Sequence, residues 1–373
     1  MKSRDELRAA VLGYIKRGWT RSTQPDEFET LALSVFRYQF ARNEPYQRFC
    51  QMRGVSADSI SSWNEVPAVP TAAFKEAALI CDGPESAEAV FRTSGTTQGA
   101  ERKGIHYVRD LSLYRAAAVL NFRAHVLPEA VSLRMLILGP PPELAADSSL
   151  TWMLELVRRE LGTDESAYYV DENGLRADEL LTTLAQCEAR AAPACLLGTA
   201  AAFVHVLDEL ERRRRSFSMP AGSRIMETGG FKNQPSEIER EEFYQALVTG
   251  LGVSPFYCVA EYGMTEMCSQ FYDNVLRERA RGRSPALRVK VVPPWVRTRV
   301  VDAETLEPLP PGELGVLRHF DLANLDSVSA IQTDDLGIEG EVAGGGGFEI
   351  VGRATGAGLR GCSLAIDEWL ATQ

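Results

Sequence analysis

The residues that most clearly suit chemistry lie in TSGTTQGAERKG at 93–104, where hydroxyl and glycine residues precede Lys103. Backbone N–H groups of a glycine-rich turn can point together at an anion, and Ser and Thr hydroxyls add donors. The segment therefore suits a polyphosphate, but the same residue types also build plain turns. Two common nucleotide-binding patterns are absent, because only three residues separate Gly95 from Gly99 and no Ser or Thr follows Lys103. The local sequence leaves phosphate binding and a plain turn equally open.

The cysteines offer a second kind of chemistry. Seven are scattered along the chain without a CxxC pair, which favours free thiols over disulfides or a zinc site. Cys362, in GLRGC, lies close to Arg360, a cation that would favour the reactive thiolate. In isolation, a cysteine in this setting is more often a small buried residue. Cys258 and Cys268 flank EYGMTE and are the alternative nucleophiles, although Cys258 in the strand-like FYCVA fits a core position.

Capping signals and apolar periodicity predict the elements that must position these residues. Ser3 and Glu6 have capping-box spacing ahead of a helical apolar pattern, so we expect residues 1–65 to form a helical N-terminal region. From residue 66 to 284, buried-strand runs such as LRMLILG, ACLLGT and SRIMETGG alternate with amphipathic helices. This order predicts an α/β fold with a doubly wound, mostly parallel sheet that binds ligands at the carboxyl ends of its strands.

The last part of the chain has a different pattern. Short strands joined by Pro-rich and Gly-rich turns predict a small β-rich subdomain over residues 285–353. Residues 354–373 then form a short C-terminal segment that carries Cys362.

Composition argues against several classes of function. A net charge of −11 disfavours a nucleic-acid partner, which needs a clustered basic surface. The chain has no run of about 18 apolar residues, and its N-terminus is charged and amphipathic rather than a signal peptide. We therefore expect a cytoplasmic protein without membrane insertion. The 373 residues suit one large domain or two intimate ones, and homo-oligomer formation stays open.

Four motifs read together favour nucleotide chemistry over plain turns. TSGTTQGAERKG, EYGMTE at 261–266, QTDDLG at 332–337 and EIVGR at 349–353 resemble, in the same order, the phosphate loop, YGxTE, TGDxG and GR motifs of adenylate-forming enzymes such as acyl-CoA synthetases. One or two extra residues precede Lys103. The resemblance implies the N-terminal-domain fold of these enzymes. Only about 20 residues follow Arg353, so we expect their small C-terminal domain to be reduced or missing.

Longer segments narrow the resemblance. VFRYQFARNEPYQRFC, VPAVPTAAFKE, LLGTAAAFVHVLDEL and LRGCSLAIDEW are similar to the acyl-protein synthetase family of bioluminescence fatty-acid reductase systems (LuxE), over essentially the whole chain. The resemblance implies that ATP activates a fatty acid as an acyl-adenylate. The acyl group would then move to Cys362 and on to a partner protein such as a reductase or a carrier. Two alternatives stay open: an acyl-CoA or acyl-carrier ligase with a structural Cys362, and an inactive nucleotide-binding homologue.

The same resemblance implies which residues bind the phosphates of ATP. The β- and γ-phosphates would be bound by residues of the quoted loop, namely Ser94, Gly95, Thr96, Thr97 and Gly99. Lys103 would be the nearby cation, with Arg102 as the alternative. Thr265 would contact the α-phosphate, and Glu266 would hold Mg²⁺, which bridges phosphate oxygens.

The resemblance implies that residues farther along the chain bind the adenosine. The positions that match the adenine site are Gly229, Gly230, Tyr262 and Gly263. Glycines leave room for a flat ring, and a tyrosine can stack on its face. Asp335 would accept from the ribose hydroxyls and Arg353 would lie on the same side. Asp334 is the alternative to Asp335 one residue away, and both aspartates also fit a solvated turn.

Overall fold

The structure is a computed structural model, and it describes residues 2–19, 25–93, 102–129, 132–229, 240–285, 287–342 and 345–354. Its α-helices within these ranges are α1 Arg4–Arg17, α2 Pro25–Arg42, α3 Glu44–Met52, α4 Leu111–Val126, α5 Ser149–Leu161, α6 Ala177–Ala189, α7 Ala200–Arg212, α8 Arg240–Leu251 and α9 Val275–Ala280. Short 3₁₀ helices cover Trp63–Glu65, Thr71–Lys75, Pro84–Ser86, Pro255–Tyr257 and Leu322–Asn324.

The strands of the described ranges alternate with these helices in the middle of the chain and follow one another near its end. They are β1 Val69–Pro70, β2 Ala89–Arg92, β3 Ile105–Val108, β4 Arg134–Leu138, β5 Ala167–Tyr168, β6 Val170–Asp171, β7 Gly174–Leu175, β8 Ala194–Thr199, β9 Arg224–Thr228, β10 Cys258–Tyr262, β11 Phe271–Asp273, β12 Lys290–Val291, β13 Val296–Val301, β14 Leu314–Asp321, β15 Ala330–Val342 and β16 Gly345–Arg353. The predicted α/β class is confirmed.

The first helix begins where its sequence predicts. Ser3 accepts from the backbone N–H of Glu6, and the Glu6 carboxylate accepts in return from the N–H of Ser3 at 2.7 Å. This exchange satisfies two backbone donors that a helix start otherwise leaves unpaired. One face of α1 is fully buried and consists of Leu7, Val11, Tyr14 and Ile15. Each such side chain contributes roughly 1.5–3 kcal/mol when removed from water.

The chain divides into two compact units. The first comprises Met1–Ala118, Met264–Gln270 and Val289–Gln373, and the second comprises Val119–Gly263 and Phe271–Arg288. The four-part division drawn from the sequence stays a prediction, and all but the first residue of its C-terminal segment lies outside the described ranges.

The first unit contains an antiparallel sheet in the strand order β13-β14-β15-β16-β12. The short strand β1 pairs in parallel with β15, and the hairpin of β2 and β3 forms a separate sheet. Gly337 allows β15 and β16 to lie close together, because a Cβ atom at this position would lie 2.6 Å from the backbone oxygen of Glu349. A side chain there would push β15 and β16 apart.

The second unit contains the predicted parallel sheet. Its strand order is β11-β10-β9-β8-β4-β5, with parallel neighbours except that β11 pairs antiparallel with β10. Helices pack on it through a large apolar core that includes Leu136, Leu196, Ile225, Phe203 and Phe243. Parallel strands buried on both faces read as continuous apolar runs, which is why the sequence locates them well.

No helix within the described ranges is both long and apolar enough to span a lipid bilayer.

Candidate active site

The segment 93–104 lies at the end of a β-hairpin in the first unit. Strands β2 and β3 pair antiparallel, with Phe91 opposite His106. Beyond this register the backbone N–H of Thr93 donates to the Gly104 carbonyl at 3.0 Å, and the Gly104 N–H donates to Thr93 Oγ1 at 2.9 Å. A Cβ atom at position 104 would lie 3.0 Å from Thr93 Cγ2, so glycine permits this close approach. We call the hydrogen-bonded pair Thr93 and Gly104 the hairpin neck. The predicted phosphate-binding residues of this segment lie outside the described ranges: Ser94, Gly95, Thr96, Thr97 and Gly99.

The two candidate cations next to this neck differ in their surroundings. Arg102 Nη1 lies 3.7 Å from Glu76 Oε2, and the Arg102 side chain is 73% exposed. Lys103 is also exposed and forms no ion pair with any residue that the structure describes. This difference favours Lys103 as the group free to meet an added anion.

His106 connects the hairpin to the segment that contains Thr265. Its side chain is 2% exposed, and its Nδ1 lies 2.7 Å from the backbone oxygen of Thr265. Its ring also packs edge-on against Phe74 at 5.7 Å. Burial lowers the pKa of His106 to about 4, although the hydrogen bond to Thr265 opposes the shift. The imidazole is therefore neutral near pH 7.

A buried polar network holds the rest of residues 264–270. Asn324 Nδ2 donates to the Glu266 carbonyl at 2.8 Å, and Asn324 Oδ1 accepts from the Cys268 N–H at 2.7 Å. Ser269 Oγ donates to Asp321 Oδ1 at 2.8 Å. Because buried polar groups are costly when unpaired, this network fixes the backbone from Glu266 to Cys268.

The Glu266 side chain lies in an acidic environment. It is 7% exposed, and burial raises the pKa of its carboxyl to about 7, with Asp335 and Asp334 raising it further and Arg353 opposing them. Burial likewise raises the pKa of Asp334, whose charge Arg353 and Lys75 partly offset. Carboxylates concentrated in this way favour an added cation.

Asp335 and Arg353, the predicted ribose-binding residues, are direct cross-strand partners. They face each other in the register of β15 and β16, and Arg353 Nε lies 3.7 Å from Asp335 Oδ1. Because the Arg353 side chain is 62% exposed, the pair adds at most about 1 kcal/mol to stability. Asp334 instead accepts through its backbone oxygen from the Ala354 N–H at 2.8 Å. The assignment of the ribose to Asp335 stays a prediction.

The donor set fits Mg²⁺ bound together with phosphate rather than a preformed metal centre. Among the described residues, no group of three or more His, Cys, Asp or Glu side chains could hold a metal ion. Mg²⁺ in nucleotide sites uses one or two carboxylates, and its other ligands are phosphate oxygens and waters. A single buried carboxylate such as Glu266 meets that requirement.

The predicted adenine-binding residues lie in the second unit, at the carboxyl ends of adjacent parallel strands. Thr228 pairs with Glu261 in the register of β9 and β10, so Gly229 and Tyr262 follow at neighbouring positions. Gly229 has φ +88°, and a Cβ atom there would meet nothing within 4 Å. Gly263 is exposed and Gly230 lies outside the described ranges. This edge is where parallel α/β sheets bind ligands.

Two of the three candidate nucleophiles have unfavourable surroundings. Cys258 is completely buried, and burial raises the pKa of its thiol to about 12. Burial also raises the pKa of Cys268 well above its usual range. Neither thiol would carry much thiolate at neutral pH. Cys362 lies outside the described ranges.

The sequence left His106 without a role and did not indicate Asn324 or Asp321 at all. These side chains carry no motif, and their partners lie far away in sequence. The only local signal is polar residues in DLANLDSVS at 321–329, a segment that is buried throughout. We call it the buried loop 321–329.

Comparison with known proteins identifies the family of the chain. Residues 3–371 match the family described as acyl-protein synthetase, LuxE. The long-chain-fatty-acid–luciferin-component ligase of Vibrio harveyi is 27% identical over 361 residues, which cover 94% of this chain and 90% of that protein. The ligase of the same name from Aliivibrio fischeri is 26% identical over 360 residues, covering 93% of this chain and 90% of that one.

Solved structures of adenylate-forming ligases share the fold. The crystal structure of 2-hydroxyisobutyryl-CoA ligase in complex with 2-HIB-AMP and CoA in the thioesterification state has a TM-score of 0.64 and 14% identity, covering 90% of this chain and 71% of the ligase. The likeness confirms the adenylate-forming N-terminal-domain fold that the motifs predict. With the family match over nearly its whole length, the chain belongs to the acyl-protein synthetase family, LuxE, and is a ligase.

Proposed function

We propose that this protein is an ATP-dependent acyl-protein synthetase that activates a fatty acid and transfers it through Cys362 to a partner protein. The observation that best supports the proposal is the setting of two adjacent residues. Thr265 is hydrogen-bonded to the hairpin that ends in the glycine-rich segment, and Glu266 presents a buried carboxylate among other acids. An anion-binding loop and a cation-binding carboxylate on adjoining elements are what adenylation needs.

The first step joins the acid to the nucleotide. A carboxylate oxygen of the fatty acid attacks the α-phosphorus of ATP, and pyrophosphate leaves. The phosphates would be held by the loop residues Ser94, Gly95, Thr96, Thr97 and Gly99. Lys103 would neutralise their charge, and Thr265 would bind the α-phosphate. Mg²⁺ held by Glu266 would offset the negative charge of the phosphate oxygens.

The nucleoside would be bound by the residues that match the adenine and ribose positions of the family motifs. The adenine would be bound by Gly229, Gly230, Tyr262 and Gly263. Asp335 would accept from the ribose hydroxyls beside Arg353. The pairing of Asp335 with Arg353 across β15 and β16 supports this role, because directly opposite residues project from the same face of the sheet.

The second step moves the acyl group. The Cys362 thiolate attacks the acyl carbonyl, AMP leaves, and a thioester forms. A nucleophile on the partner protein, such as a reductase or a carrier, then takes the acyl group and releases the thiol. The names of the relatives from Vibrio harveyi and Aliivibrio fischeri support a long-chain fatty acid as the substrate.

One experiment tests both steps. The protein is incubated with ATP, Mg²⁺ and a labelled long-chain fatty acid, pyrophosphate release is measured, and the protein is analysed by mass spectrometry. We expect pyrophosphate and a hydroxylamine-labile acyl adduct on Cys362, which persists in Cys268→Ala and disappears in Cys362→Ala. Pyrophosphate release without an adduct would instead indicate an acyl-CoA or acyl-carrier ligase. No release with any acid would indicate an inactive nucleotide-binding homologue.

A further inference from the structure

His106 lies where the hairpin neck meets the Thr265 backbone. It follows Gly104 by two residues on β3 and is 2% exposed. Its Nδ1 is 2.7 Å from the Thr265 oxygen. Phe74 contacts both sides of this junction: its ring lies 5.7 Å from the imidazole, and its Cβ lies 3.6 Å from a Cβ atom placed on Gly104.

The partner atom fixes the tautomer of the ring. A backbone carbonyl only accepts hydrogen bonds, so Nδ1 must carry the proton and donate it to Thr265. Burial keeps the ring uncharged near neutral pH. A ring whose one N–H is committed to a backbone oxygen is suited to holding a position rather than transferring protons.

Two different elements therefore anchor Thr265 and Glu266. The hairpin holds the Thr265 carbonyl through His106, and Asn324 holds the Glu266 carbonyl from the 3₁₀ helix Leu322–Asn324. Only the first anchor connects Thr265 to the hairpin neck, because His106 lies on β3 two residues after Gly104.

We propose that His106 is a positioning residue that sets the hairpin neck, formed by Thr93 and Gly104, in register with Thr265, so that Thr265 meets the α-phosphate in a single geometry. This inference rests on the proposed function. His106 itself touches no substrate. A misplacement of about 1 Å between groups that bind a reacting substrate costs about 10²-fold in rate.

Two substitutions separate positioning from simple packing. His106→Ala removes the donor, whereas His106→Asn keeps an amide N–H close to the place of Nδ1. In fatty-acid-dependent ATP–pyrophosphate exchange, His106→Ala should lower kcat about 10- to 100-fold, with the KM for the fatty acid unchanged. His106→Asn should recover at least about half of that loss on a logarithmic scale.

His319 provides the matched control. It is a fully buried histidine of the same unit, Nδ1 of which contacts Thr298 Oγ1 at 2.9 Å. His319→Ala should lower the Tm without the selective fall in kcat when both variants are assayed well below their Tm. Equal kcat losses in the His106→Ala and His319→Ala proteins, or no recovery in His106→Asn, would overturn the inference.

Hydrogen-exchange mass spectrometry gives a readout independent of turnover. Peptides that contain residues 102–108 and 264–267 should exchange faster together in His106→Ala, return toward the parent rate in His106→Asn, and stay unchanged in His319→Ala. Independent exchange of the two peptides would overturn the inference. Absence of pyrophosphate exchange in the parent protein would count against the proposed function, and the exchange peptides would then decide on His106 separately.

Discussion

The Asn324 side chain hydrogen-bonds to the backbone on both sides of Met267: it donates to the carbonyl of Glu266 at 2.8 Å and accepts from the N–H of Cys268 at 2.7 Å. The amide is 1% exposed. Asn324→Leu would remove the partner of the Cys268 N–H and of the Glu266 and Val328 carbonyls, and we expect a loss of about 1–3 kcal/mol in the free energy of unfolding. Chemical denaturation measures this loss. Asn64→Ala, at an exposed position, should change stability by less than about 0.5 kcal/mol.

Substitution of Glu266 should affect the metal requirement rather than the fold. Glu266→Gln keeps the size of the side chain but removes the charge proposed to bind Mg²⁺. The Mg²⁺ concentration for half-maximal pyrophosphate exchange should rise about 10- to 100-fold. A Mg²⁺ titration of activity measures the shift, and Glu313→Gln, an exposed acid, should leave the titration curve unchanged. An identical curve for Glu266→Gln would remove Glu266 from the metal site.

Substitutions of Lys103 and Arg102 should differ in their effect on the KM for ATP. Lys103→Ala removes a charged donor to phosphate, and we expect the KM for ATP to rise about 10-fold or more. Arg102→Ala should change this KM by less than about 3-fold, because Arg102 already faces Glu76 at 3.7 Å and exposed ion pairs are weak. Steady-state kinetics at fixed Mg²⁺ compare the two. A larger effect for Arg102→Ala would exchange their roles.

Asp321 should make stability depend on pH. Burial raises the pKa of its carboxyl to about 6, while hydrogen bonds from Ser269 and from nearby backbone N–H groups, including that of Ala323, oppose the shift. Because the folded-state pKa lies above the unfolded value of 3.8, the folded form is favoured at low pH and loses stability as pH rises to about 6. Asp321→Asn lacks this loss.

The stability of Asp321→Asn relative to the parent protein should therefore rise by about 2 kcal/mol between pH 4 and pH 6, and stay level above pH 7. Denaturation at a series of pH values measures the difference. Asp58→Asn, at a side chain that is 96% exposed, should show no such trend. A flat difference for Asp321→Asn would show that the carboxylate is ionised at low pH in the fold.

Thiol labelling should distinguish Cys362 from the other cysteines. The six cysteines in the described ranges are free and buried, and burial raises the pKa of Cys50 and Cys195 to about 12. Under native conditions a water-soluble disulfide reagent should modify one thiol per chain rapidly. That reaction should be absent in Cys362→Ala and present in Cys187→Ala. Rapid labelling that survives Cys362→Ala would point to another nucleophile.

The sequence predicts local structure well and long-range anchoring poorly. The capping box of α1 and the apolar runs of β4, β8 and β9 depend on neighbouring residues, so periodicity reveals them. The contact between His106 and Thr265 joins residues 159 positions apart, and no local pattern encodes it. The assignment of Gly229 and Tyr262 to one adenine site came from the family resemblance, and only the structure shows that they follow neighbouring positions of β9 and β10.

The buried loop 321–329 shows most directly what local sequence patterns fail to predict. Its composition, DLANLDSVS, is typical of a surface connection, because loops with many polar groups usually meet water. Here other elements replace the water: Arg4 and Tyr38 bind Asp326, Gln39 binds the Asn324 carbonyl, and Asn43 binds Ser327. Arg4 lies on α1, Tyr38 and Gln39 lie on α2, and Asn43 caps α3, so each partner lies more than 280 positions away in sequence.

That dependence sets an order for folding during synthesis. Asn43 and Ser327 are 284 positions apart, and a ribosome adds about 5–20 residues per second. The polar side chains that α1, α2 and α3 direct toward the loop must therefore wait roughly 15 to 60 s for their partners. The nascent N-terminal helices are incomplete during that time, and this interval is when chaperones would have the greatest effect on the yield of folded enzyme.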